Sequence, residues 1–313
     1  MEGMQASKLP PDSFNPLSCS EMGHTPPLGE GAATFWQDVR QSLGQNKKAM
    51  LGLYTVLFII LLAVLGPLFS PYSYSDQFLD KQFLKPCKEF WFGTDILGRD
   101  IFVRILYGAR ISLAVGFTVA IINLTIGVLY GGVAGLTGGW ADNLMMRVVD
   151  VVYSVPLILY VVLLMVLLGP GLKSIFIALG AVYWIEMARI VRGQVLVLKE
   201  QEFILATRAL GAGGCRILFR HLIPNCAGPI IVTLFMNIPL AIFTEAFLSF
   251  LGLGVSAPMA SWGVLASNGL TALRTYPHVL FFPTSAITIT VIAFNFLGDG
   301  LRDALDPKTT KQG

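Results

Sequence analysis

Met50-Leu-Gly-Leu-Tyr-Thr-Val-Leu-Phe-Ile-Ile-Leu-Leu-Ala-Val-Leu-Gly-Pro-Leu-Phe69 runs for 20 residues without a charge. At a rise of ~1.5 Å per residue, a helix of that length crosses a hydrocarbon core of ~30 Å. Pro67 and Pro71 close the run. Further apolar runs lie at about 111–135, 145–168, 174–196, 228–251 and 279–298, which makes six spans. Each is long, and either uniformly apolar or periodic at 3.6. A barrel would need alternating segments of ~10 residues, so the fold class expected is all-α integral membrane.

Composition agrees. Charged residues make up 13% of the chain and hydrophobic residues 54%, with mean hydropathy +0.68. A soluble domain carries about 25% charged residues. A net charge of +3 is too small to argue for nucleic acid. Cys19, Cys87, Cys215 and Cys226 show no metal spacing, and the three histidines are isolated, so no metal site is expected. Residues 1–34 are rich in Pro, Gly, Ser and Glu and read as a disordered cytosolic tail. The organisation expected is that tail, an N-terminal region over 35–109, a transmembrane domain over 110–300 with a loop at 199–225, and a cytosolic tail over 301–313.

Charge bias sets orientation. With the N-terminus inside, fourteen of the 22 Lys and Arg residues fall on the cytosolic side. Residues 70–108 and 252–278 then face outward, and residues 197–227 face the cytosol with both ends of the chain. The outer segment 252–278 is expected to hold a short re-entrant or interfacial helix.

That cytosolic loop carries Glu202-Phe-Ile-Leu-Ala-Thr-Arg-Ala-Leu-Gly211, with Pro224 thirteen positions beyond Gly211. Glu202 through Gly214 is predicted as a short helix with Phe203, Ala206 and Leu210 on one stripe, ended by Gly211, Gly213 and Gly214. It could dock on a cytosolic protein or lie on the lipid surface. Within the spans, Glu186 and Glu245 are carboxylates in hydrocarbon. Each costs about 2.5–3.5 kcal/mol at the centre unless it faces a cavity or a partner. With Trp184 they are candidates for a translocation path; a hydrogen bond to a neighbouring helix is the alternative. Arg147 and Asp150, three apart, are expected to pair on one helix face. Asn123, Asn237 and Asn295 suit interhelical hydrogen bonds, and Pro156, Pro239 and Pro283 interrupt their spans. Gly131, Gly132, Gly135, Gly138 and Gly139 suit close helix packing or a turn. No phosphate-cradling G-x-x-x-x-G-K-[ST] occurs, nor any catalytic constellation, so an enzyme is not expected.

The Glu202–Gly211 segment with Pro224 resembles the coupling loop of bacterial ABC importer permeases, in which Glu-Ala-Ala is followed by Gly and, after a long gap, Pro. Leu205 stands where that family has Glu, and Thr207 replaces its second Ala. Phe92-Gly-Thr-Asp-Ile-Leu-Gly-Arg-Asp100, Tyr107-Gly-Ala-Arg-Ile-Ser-Leu113, Met146-Arg-Val-Val-Asp150, Ser249-Phe-Leu-Gly-Leu-Gly254, Ser261-Trp-Gly263 and Phe294–Pro307 are similar to the dipeptide and oligopeptide permeases. Trp184–Gln194 is most like the C-type subunit. The resemblance covers about 35–308 and implies a type I ABC importer permease fold in the bacterial inner membrane. It also implies ATPase coupling through Glu202, Ala206, Arg208, Gly211 and Pro224. The partners implied are a homologous B-type permease, two cytosolic ATPases that use ATP and Mg, and an extracytoplasmic binding protein delivering peptide. No cofactor is expected on this chain. Dipeptide, glutathione or nickel import is the alternative within the family. A proton-coupled secondary transporter using Glu186 or Glu245 is the rival from another class.

Overall fold

The computed structural model describes residues 31–169 and 171–305. Of the tail expected over residues 1–34, all but the last four residues lie outside them. Those four begin a helix, α1 (Gly31–Gln45). Asn46 then caps α2 (Lys47–Phe69), its side-chain oxygen accepting from the Lys48 and Ala49 amides at 3.1 and 3.2 Å. Helix α3 (Ile101–Thr137) returns, starting ten residues earlier than its apolar run because Asp100 caps it by accepting from the Phe102 amide. It is followed by α4 (Gly139–Ser154) and α5 (Leu157–Leu168), then α6 (Leu172–Leu198). Helix α7 (Glu202–Ala209) stands alone before three helical turns over residues 214–225. The chain closes with α8 (Ala227–Leu253), the short α9 (Trp262–Thr271) and α10 (His278–Leu305). Among the described residues, five helices are long and apolar enough to cross a membrane, and α4 with α5 makes a sixth span if the pair is counted as one.

The run expected as a span over 145–168, interrupted by Pro156, is bent by 82°. Val155 precedes Pro156 and is therefore driven out of the helical region, to φ −90° and ψ 126°. Proline thus breaks this span. In α2 a proline is accommodated instead. Pro67 has no amide to offer the Ala63 carbonyl one turn back. Arg110 on α3 supplies the missing donor, its Nε reaching the Ala63 oxygen at 2.6 Å and its Nη2 the Val64 oxygen at 2.9 Å.

Glycines set the helix contacts. A Cβ on Gly127 would lie 2.7 Å from the Met187 Cβ, and one on Gly131 would strike the Ala188 carbonyl, so α3 and α6 touch backbone to backbone. Gly116 lets Ile238 and Ile242 of α8 approach α3. Gly138 and Gly139, at φ 65° and 59°, make the turn into α4. The expected alternatives thus divide: the first three glycines of that group serve packing and the last two serve the turn.

The chain order places α2's start, α6's end, residues 199–226 and α10's end on one face of the bundle, here the terminal face. Residues 70–100 and α9 occupy the other, the loop face. Residues 70–100 form a compact cap whose centre is Asp95, only 4% exposed. Its carboxylate accepts from Arg99 Nε at 2.7 Å and from the Leu97 and Arg99 amides at 2.9 and 3.0 Å, with Arg104 Nε 3.7 Å away. Gly98, at φ 71°, closes this turn against the Phe78 carbonyl, where a side chain would not fit. Stacked rings fix the cap to the bundle: Phe92 on Phe282 at 4.0 Å, Phe83 on Tyr276 at 4.6 Å, and Tyr74 on Tyr107 at 3.8 Å.

Candidate functional site: an exposed helix on the terminal face

Helix α7 is eight residues long and ends at Ala209, short of the expected Gly214. The ending is a Schellman closure. The Ala212 amide donates to the Thr207 carbonyl at 3.2 Å and the Gly211 amide to the Arg208 carbonyl at 2.9 Å, with Gly211 at φ 83°. A Cβ at Gly211 would meet open space. Its requirement for glycine is therefore one of backbone conformation alone. Glu202 lies in the first turn and Arg208 in the last, the arrangement that complements the helix dipole.

The footing of α7 differs from the predicted stripe. Ile204 is fully buried, in a cluster with Val191, Val195, Ile217, Leu218 and Leu222. Phe203 and Leu210 point outward, 43% and 90% exposed, and Ala206 is exposed too. The stripe read from the sequence is thus the free face. Eight residues span little more than two turns, so apolar positions on both sides fit a helical period. Leu205, the departure from the family pattern, is also exposed. Pro224 sits exposed in the last turn before α8, beside the buried Cys226, whose thiol burial pushes up to about 11.

The predicted path residues separate. Glu186 is exposed midway along α6. Trp184 is half-buried, its Nε1 donating to the Ala181 carbonyl and its ring set edge-on to Tyr130 at 4.8 Å. Glu245 lies apart from both and is fully enclosed, so in this conformation it cannot line an open path. It accepts from Ser112 of α3 at 3.1 Å and from Ser249 at 2.7 Å. Ser112 in turn accepts from the Trp262 amide of α9 at 3.3 Å. The carboxyl group therefore ties α3, α8 and α9 together.

The expected Arg147–Asp150 pair is not formed. Asp150 accepts from Arg189 of α6 at 2.8 Å, while Arg147 is exposed. Arg189 also lies over the ring of Tyr153 on α4 at 4.3 Å, which holds the guanidinium against that helix. One turn on, Arg192 grips Asp142 with two bonds of 2.7 Å. Helix α4 is thus held to α6 by two ion pairs that sequence reasoning missed. The readable signal was the i, i+3 placement of Arg189 and Arg192, which puts both on one face of a long helix.

The family described as binding-protein-dependent transport system inner membrane component matches residues 124–311, and the N-terminal TM domain of oligopeptide transport permease C matches residues 34–86. The chain is similar to the oligopeptide transport system permease protein OppC of Bacillus subtilis (strain 168), at 50% identity over 97% of this chain and 99% of that one. It is likewise similar to the dipeptide transport system permease protein DppC of the same organism, at 50% identity over 95% and 93%. The glutathione transport system permease protein GsiD of Pectobacterium atrosepticum shares 42% identity over 88% of this chain and 90% of its own. Among solved structures, inward facing conformations of the MetNI methionine ABC transporter match with TM-score 0.53 and 20% identity, over 65% of this chain and 96% of that one, a likeness of fold.

Proposed function

Because the chain belongs to the binding-protein-dependent transport system inner membrane components, and is the transmembrane component of an ABC importer, we propose that it imports oligopeptides delivered by an extracytoplasmic binding protein. It supplies half of the translocation path, the other half coming from a homologous B-type permease. Two cytosolic ATPases bind and hydrolyse ATP with Mg. The terminal face lies in the cytosol and the loop face outside. In the division of labour, residues 35–109 form the N-terminal region and outer cap, and 110–300 form the transmembrane domain with its coupling loop at 199–225.

The observation that carries this reading is α7 itself: rooted by Ile204, closed by Gly211 and bare on its Phe203–Leu210 side. A short helix footed on the core but free on its outer face can enter a groove on an ATPase and move with it. Glu202, Ala206, Arg208, Gly211 and Pro224 are the coupling residues. When the ATPases close on ATP, the displacement passes through Ile204 to the packed ends of α3 and α6, and the path opens outward. Hydrolysis resets it. Glu186 and Trp184 face the path or the partner permease, because a mid-span carboxylate directed into lipid would cost about 2.5–3.5 kcal/mol. Glu245 positions α9.

Three measurements test this. In a cysteine-free background, a cysteine at Lys81 should react with an impermeant thiol reagent in intact cells and one at Lys199 should not; the reverse pattern overturns the orientation. The purified complex should hydrolyse ATP faster with peptide-loaded binding protein, and uptake should stop with vanadate. Uptake that survives vanadate but collapses with a protonophore would establish the secondary-transport reading instead.

A further inference from the structure

Helix α3 changes its winding at Asn123–Gly127. The turn there is one residue wider than an α-helical one, the Val128 amide reaching back five positions to the Asn123 carbonyl. Thr125 donates to the Ile121 carbonyl at 2.8 Å, a back-bond of the kind that loosens and bends helices. The interhelical bond expected of Asn123 is not formed. Its side chain is fully buried, and neither Nδ2 nor Oδ1 has a partner.

The neighbours of α3 also change at this turn. Its loop-side half, 101–122, is tied to α2 by Arg110, to α8 by Ser112 on Glu245, and to α9 by Trp262 Nε1 on the Ile105 carbonyl at 3.0 Å. Its terminal-side half, 128–137, is tied to α4 by the Tyr130 hydroxyl on the Met145 carbonyl at 2.9 Å. Lys199, which ends α6, donates to the Gly135 carbonyl at 3.2 Å, and Gly131 brings the backbone against Ala188. Helix α6 runs past both halves. Its bond to α8, between the Tyr183 and Thr244 hydroxyls at 2.7 Å, lies one turn from Gly180, where Ile122 packs. The point about which α6 can tilt is therefore level with the widened turn.

A buried amide without partners raises the energy of the conformation that leaves it so, and sharp helix kinks concentrate at wide turns of this kind. We propose that Asn123–Gly127 is a hinge at which the terminal-side half of α3, carried with α6 and α4, swings against the loop-side half, and that the Asn123 amide meets its hydrogen-bond partner in the state so reached. The hinge rests on the chain's place in an ATP-driven importer and is independent of the cargo.

In a background without other cysteines, spin labels on Phe117→Cys and Val133→Cys occupy exposed positions of the two halves, about 24 Å apart along the helix at 1.5 Å per residue. Their separation in the assembled complex in nanodiscs should change between the nucleotide-free and the vanadate-trapped form. An unchanged separation means that α3 moves as one rod and overturns the hinge. Blocked hydrolysis verifies the trapping, so that result would leave the importer reading standing. Asn123→Leu, similar in size and without polar atoms, should assemble with its partners but favour the present conformation about tenfold, the effect of removing one unmet amide. The fraction of complexes at the trapped separation, and uptake with it, should fall accordingly. Wild-type separations and wild-type uptake in Asn123→Leu would mean that the amide is met equally in both forms, and would overturn its part in the hinge. Should Asn123→Leu fail to assemble, the labels on the otherwise unaltered chain decide.

Discussion

Asp95→Ala should leave almost no folded protein in the membrane. The carboxylate is the counter-charge for two guanidiniums whose side chains are as enclosed as its own: Arg99, 7% exposed, and Arg104, 2% exposed. It also accepts from the Leu97 and Arg99 amides. Deleting one member of a buried ion pair typically costs ~3–5 kcal/mol, because the remaining charge stays desolvated without compensation. Whole domains are stable by only ~5–15 kcal/mol. Two stranded cations and two orphaned amides in one place remove a large part of that margin. Asp95→Asn, which keeps an acceptor for the amides but loses the charge, should fall between Asp95→Ala and the wild type. Immunoblots of membranes and the unfolding temperature of detergent-solubilised protein are the readouts. Wild-type abundance and wild-type melting for Asp95→Ala would show that the cap does not depend on this cluster.

Gly211→Val is expected to act in the opposite way, sparing the fold and abolishing transport. No atom lies near the new Cβ, so the bundle has nothing to repack. The backbone at φ 83° is the difficulty. A β-branched residue there carries a penalty of order 1 kcal/mol or more. The cheapest relief is to abandon the Schellman closure, which frees the Thr207 and Arg208 carbonyls and swings α7 about its single anchor, Ile204. The variant should insert and pair with the second permease but lose its ATPases or fail to couple them. Stoichiometry of the purified complex and hydrolysis stimulated by peptide-loaded binding protein report this. Full stoichiometry with normal stimulation would remove α7 from the coupling role. Leu205→Glu, at an exposed position, should be tolerated.

The spans were legible because an apolar run of bilayer-crossing length has one economical conformation, and α2, α6 and α8 follow their runs within a few residues, while α10 continues past its run to Leu305. The break at Pro156 was marked by the proline, but hydropathy averages over a bend and gives it no angle. Ion pairing was misread where only sequence distance was available. Arg147 is near Asp150 along the chain, yet Arg189, 39 positions away, is the one the fold presents. The cap at 70–100 was missed as a unit because its bonds run from side chain to backbone at irregular spacing. Asp95-Ile-Leu-Gly98 nevertheless contains an Asp able to close its own turn and a Gly able to complete it. For α7, the ending was readable from Gly211, whereas which side it buries depended on neighbours supplied by α6 and by residues 217–222.

Arg110 clasping the Ala63 carbonyl across the gap left by Pro67 has a consequence for how the bundle can move. If α2 were to slide or rotate against α3, that oxygen would be bare in lipid, where an unmet backbone group costs several kcal/mol. The clasp therefore makes α2 and the first half of α3 a single rigid strut. Whatever opens and shuts the pathway must flex elsewhere, and the joint between α4 and α5 at Pro156 is the place where the chain has already given up its helical ladder.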